Sequence, residues 1–93
     1  MESETFDNVF DALCDTAAEA ANMKARAELM LGVREKVKTW GGPQDAAAKR
    51  LGLTRPRLND LMRGKIDKFS LDALVNIATA AGYALHIGLE DAA

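Results

Sequence analysis

Residues 44–65 read QDAAAKRLGLTRPRLNDLMRGK, and the spacing inside this stretch decides the fold. Small and apolar residues recur at helical intervals at Ala47, Ala48 and Leu51; Gly52 interrupts them, and Thr54 opens a second run carrying Leu58 and Leu61. The pattern predicts a helix, a tight turn and a second helix. Ala48 is small where a crossing helix needs close approach, and Leu53, Leu58 and Leu61 fill the wedge between the two. Thr54 can cap the second helix through its hydroxyl, and Pro56 falls in its first turn, where a missing N–H costs little. That helix should end near Arg63-Gly64.

Upstream, Thr16 followed three residues later by Glu19 is a capping-box signature, so a helix should begin at Ala17. From there to Thr39 no Pro intervenes, and Ala21, Met23, Ala25, Leu29, Met30, Val33, Val37 and Trp40 supply an apolar stripe. This is either one long helix or two broken near Asn22, with Glu28, Arg34, Glu35, Lys36 and Lys38 facing water in both cases. Gly41-Gly42-Pro43 ends it and starts the next helix, which runs from about Pro43 to Arg50 or Leu51. Residues 1–15, MESETFDNVFDALCD, are expected to form an N-terminal segment, partly flexible, with Asn8-Val9-Phe10 either making a short strand or helping to cap the core.

Downstream, residues 65–69 form a loop and Ser70 caps a further helix, with Asp72 at its positive end. Leu71, Leu74, Val75, Ile77, Ala78 and Ala81 give that helix one broad apolar face, and Gly82 closes it. In the last segment Tyr83, Leu85, Ile87 and Leu89 alternate with Ala84, His86 and Gly88. Period two over residues 83–89 predicts a strand, which needs a partner: the Asn8–Phe10 segment or its own copy in a second subunit.

Ninety-three residues make one domain, taken as 16–93, near the lower end of what folds alone, so a homodimer would help. Hydrophobic residues are 48% of the chain but aromatics only 5%, which favours closely packed helices over a sheet sandwich. Cys14 is the single cysteine and lacks a partner for a disulfide or a metal site, which suits a cytoplasmic protein. The sequence has no apolar run of about eighteen residues for a membrane span and no basic-then-apolar leader. An enzyme needs a nucleophile with its base, paired carboxylates or metal ligands. Here Cys14 and His86 are single and the acids are scattered, so neither catalysis nor a cofactor nor a metal is expected. His86 reads as a surface residue, and Trp40 as a core or dimer contact rather than a stacking platform.

The net charge of −2 conceals a segregation: residues 1–42 hold eight acids and five bases, 43–68 three acids and seven bases, and 69–93 three acids and no base. The basic block coincides with the two short helices, and attraction to phosphates depends on the local patch. With Leu58, Leu61 and Met62 turned inward, Arg55, Arg57, Asn59, Asp60 and Arg63 are left outside. A helix of this kind enters the major groove of double-stranded DNA by its N-terminal half, which makes Arg55, Pro56, Asn59 and Asp60 the candidates for base edges. Arg pairs with guanine O6 and N7 and Asn with adenine N6 and N7; Asp60 either accepts from cytosine N4 or orients a neighbouring Arg. Gln44 and Thr54, at helix N-termini, and Arg57, Arg63, Lys65 and Lys68, around the second helix, are the phosphate candidates. Lys49 and Arg50 read as solvated.

The two-helix unit with its Gly turn, the lead-in helix, the Gly64-Lys65 step and the following SLDALVNIATAAG helix resemble, in that order, the Xre/Cro family of helix-turn-helix regulators, over roughly residues 25–82. The NVF segment, AANMKARAEL, RPRLNDLMRGKIDKFSLDALVNIA and the apolar C-terminal stretch are similar to the small Xre-type antitoxins of HigBA-like toxin-antitoxin pairs. The resemblance implies a mostly α, lambda repressor-like bundle of about five helices with a short C-terminal strand. It also implies a dimer that represses its own operon at a near-palindromic operator and neutralises a RelE/HigB-like toxin. An orphan regulator of the same family would look the same. A protein-interaction module using the two-helix unit as a scaffold would draw instead on the acidic, apolar-studded residues 1–42.

Overall fold

The computed structural model describes residues 16–92, and within them four α-helices follow one another: α1 Ala17–Trp40, α2 Gln44–Leu51, α3 Arg55–Met62 and α4 Leu71–Ala80. A single 3-10 turn, Ile66–Lys68, lies between α3 and α4. The capping residues act where the sequence puts them. The hydroxyls of Thr16, Thr54 and Ser70 accept from the backbone N–H groups of Glu19, Arg57 and Ala73 at 3.0, 3.2 and 3.1 Å. Pro43 is the residue before α2 rather than its first member, and offers no side-chain cap.

Helix α1 is continuous through Asn22 and Gly32. It packs on α4 and the 3-10 turn with Met30 and Val33 in the core, and it buries Ala20 where the inward place was expected for Ala21. Arg34 is half-buried, not water-facing: its guanidinium lies beside Gly64, and its buried Nε has no hydrogen-bond partner among the described residues. Arg26 turns inward on the same helix, and its NH1 donates to the carbonyls of Ile66 and Phe69, both at 3.3 Å. Leu58, Leu61, Leu74 and Val33 are fully excluded from water, Phe69 almost so, and with Ala47, Ala48, Leu51 and Ile77 they form one core.

The turn between α2 and α3 follows from Gly52, which has φ +73°, a left-handed conformation that costs glycine nothing. Its N–H reaches the carbonyl of Lys49 at 3.1 Å and the next N–H, of Leu53, reaches Ala48 at 2.8 Å, pairing carbonyls of the last turn and closing the helix. Helix α3 ends the same way through Gly64 and Lys65, which donate to Leu61 and Asp60, both at 3.0 Å.

One expectation is corrected: residues 83–92 contain no strand. Of the about five helices expected, four lie among the described residues. The partners named for such a strand were a second copy and Asn8–Phe10, the latter outside the described residues. Without a ladder, the stretch follows its side chains. Tyr83 donates its hydroxyl to the carbonyl of Gly32 at 2.9 Å, with Lys36 Nζ 4.3 Å from its ring, and Leu85 leans on the groove between α1 and α4. Beyond that the residues are exposed, Ile87 at 79% and Leu89 at 96%.

Candidate nucleic-acid interface

The surface formed by α2, the Gly52 turn, α3 and the 3-10 turn carries all ten residues singled out for DNA. Leu58 and Leu61 fix the roll of α3 by burying its inner face, and this leaves Arg55, Asn59 and Arg63 exposed at four-residue steps. Pro56 is exposed in the first turn beside Arg55. Three of the four base-reading candidates therefore share one accessible end and face of the helix.

Asp60 is separated from them. It is half-buried, and its carboxylate lies 3.6 Å from Lys65 Nζ, so it orients a lysine just beyond α3. The carboxylate that does meet Arg55 is Asp45, in the first turn of α2, at 3.0 Å. Sequence reasoning missed this partner because ten residues and a turn lie between the two; only a fixed crossing of α2 on α3 brings them together.

The phosphate candidates divide into open and engaged groups. Gln44 is exposed as the first residue of α2 and borders a cleft of about 220 Å³ between that helix, the end of α1 and the inner side of α3. Thr54 is exposed; its hydroxyl oxygen accepts from Arg57, while its proton remains available to donate. Arg63 and Lys68 are exposed, and Lys65 is half-buried against Asp60. Arg57 is already occupied. Its guanidinium sits 4.2 Å from the centre of the Phe69 ring and its NH1 donates to the carbonyl of Lys68 at 2.8 Å.

Arg57 from α3 and Arg26 from α1 thus hold one short loop from two sides, through the carbonyls of Ile66, Lys68 and Phe69. The loop carries Lys65 and Lys68, so their backbone positions are set before any ligand arrives. A comparable contact joins the ends of α1 and α2, where the Arg50 guanidinium lies 3.9 Å from the Trp40 ring; Arg50 is stacked although exposed. These arginine–carbonyl and arginine–aromatic pairs span long sequence separations and have no short motif that would disclose them.

The arrangement presents fixed cations and helix N-terminal donors around one exposed helix face, which is what reading base edges between two phosphate backbones requires. Among the described residues no helix is long and apolar enough to cross a membrane. A family model described as a helix-turn-helix domain matches residues 12–90, a span that includes all four helices. No curated protein matches the chain.

Proposed function

The chain belongs to the helix-turn-helix domain family, and from that membership we propose a sequence-specific DNA-binding repressor that acts as a homodimer. The observation that carries this reading is the exposed row Arg55, Asn59 and Arg63 on α3, framed by Thr54, Lys65 and Lys68. Arg55 and Asn59 read base edges, Gln44, Thr54, Arg63 and Lys68 hold the backbone, and Lys65 is presented by Asp60. Two copies place their α3 helices in successive major grooves, about 34 Å apart, on a near-palindromic operator. Binding there excludes other proteins from the same DNA, which is repression without a catalytic step.

The test is selection from a randomised duplex pool with the full-length chain, followed by titration of salt. A defined sequence should emerge, and affinity for it should fall steeply between about 50 and 200 mM salt. Arg55→Ala should cost roughly 1–3 kcal/mol at one base pair, read as relaxed preference at that position in a repeated selection. A pool that stays random with wild-type protein sinks the reading.

Within that reading we place the chain as the antitoxin of a type II toxin-antitoxin pair that autoregulates its operon and binds a RelE/HigB-like toxin. Its support is the resemblance of residues 20–29 and 55–78 to the antitoxins of HigBA-like systems. A short basic RelE-like reading frame beside this one, whose product copurifies with the chain, is the expected finding; an isolated gene leaves an orphan regulator.

A further inference from the structure

The ion pair between Asp45 and Arg55, at the N-terminal end of α3, is not used by the proposed function. Asp45 Oδ1 accepts from Arg55 NH1 at 3.0 Å, joining the first turn of α2 to the first residue of α3. Both side chains are open to solvent, 73% for Asp45 and 58% for Arg55. A carboxylate in the first turn suits the positive end of α2, but that does not call for an arginine beside it. A pair this exposed adds little to folding, so the pairing itself is open to another role.

We propose that Asp45 is a specificity-determining residue that positions Arg55 for a base edge and keeps it off the phosphate backbone. This rests on the reading of Arg55 as a base-reading residue. Two physical effects combine. An arginine side chain has many rotamers, and anchoring one N–H to a carboxylate fixed on a second helix narrows them. The guanidinium has five N–H donors, so after this contact enough remain for the two-donor fork that pairs with guanine O6 and N7. The second effect is repulsion. A carboxylate beside the guanidinium disfavours approach of a phosphate to the same place, whereas a neutral base edge meets no such penalty. A free arginine there would bind any duplex; the paired one discriminates. At the Asp60–Lys65 pair the same repulsion acts across a longer 3.6 Å separation, which makes Lys65 a weaker phosphate contact than Arg63 or Lys68.

The experiment uses the full-length chain as wild type, Asp45→Ala, Asp45→Asn, Arg55→Ala and the double variant Asp45→Ala/Arg55→Ala. Each goes through selection from a randomised duplex pool and a salt titration on a random-sequence duplex. Asp45→Ala is expected to relax preference by roughly five-fold or more at the base pair that Arg55→Ala also relaxes. It is also expected to steepen the log–log salt slope of non-specific binding by about one, as the released Arg55 takes a phosphate. In the double variant preference should equal that of Arg55→Ala alone, since Asp45 acts through Arg55. Asp45→Asn, which keeps the shape and an acceptor oxygen, should lose less preference than Asp45→Ala, and it carries the test if the alanine variant melts early.

If Arg55→Ala relaxes one base pair and the Asp45 variants leave it within about two-fold of wild type, the role of Asp45 is overturned and the reading of Arg55 stands. If Arg55→Ala changes no preference, both fall. An even loss across every base pair with an unchanged salt slope also overturns the proposal, because it describes a protein that is only less well folded.

Discussion

Residues 44–65 and residues 83–92 differ in where their polar and apolar groups find partners. In the first, α2 and α3 make their own helical hydrogen bonds, both C-terminal ends are closed through glycine, and Leu58 and Leu61 are fully buried. In the second, the last hydrogen-bonded contact among the described residues is at Tyr83, and Ile87 and Leu89 are exposed. Both stretches have regular apolar spacing. A helical period can be realised by the segment alone, whereas a period of two yields a strand only when another edge is beside it.

The contrast is sharpest in stability. Leu58→Ala should lower unfolding free energy by about 2–5 kcal/mol, because it empties a site with no water access, while Leu89→Ala should stay within about 0.5 kcal/mol. Thermal or urea unfolding measures both, and a large loss at Leu89 would mean that the C-terminal stretch is covered in solution. Arg57→Ala ranks next, at about 1–2 kcal/mol, from the lost Phe69 stacking and the lost bond to the Lys68 carbonyl. Unchanged stability with a shallower salt dependence of DNA binding would instead return Arg57 to the phosphate contacts. Tyr83→Phe removes only the hydroxyl that meets Gly32 and should cost about 0.5–1.5 kcal/mol, a measure of how firmly the last segment is tied to α1.

Much of the fold was legible because its signals are local. Thr16, Thr54 and Ser70 start helices and Gly52 turns the chain; each acts on residues within one turn of itself. The exposed row on α3 was legible for the same reason, since burying Leu58 and Leu61 dictates which residues remain outside. The illegible parts depend on contacts between distant residues. Arg57 resembles a free surface cation until Phe69 arrives twelve positions later, Arg26 gives no sign of its two carbonyl partners, and Asp45 meets Arg55 only once α2 and α3 cross. The strand failed because alternation in residues 83–89 describes the chain's two sides without supplying an edge.

The Arg26 tether also bears on the order in which the molecule assembles. The pairings inside residues 44–65 close short loops, whereas the bonds from Arg26 to Ile66 and Phe69 join residues 40 and 43 positions apart. Loop closure over such a distance carries a larger entropic cost, so contacts of this kind form after local ones have reduced the chain's freedom. The two central helices can therefore nucleate early, and the segment bearing Lys65 and Lys68 gains its final posture only when α1 docks. A substitution at Arg26 should then accelerate unfolding far more than it slows folding, the kinetic mark of a latch that engages last.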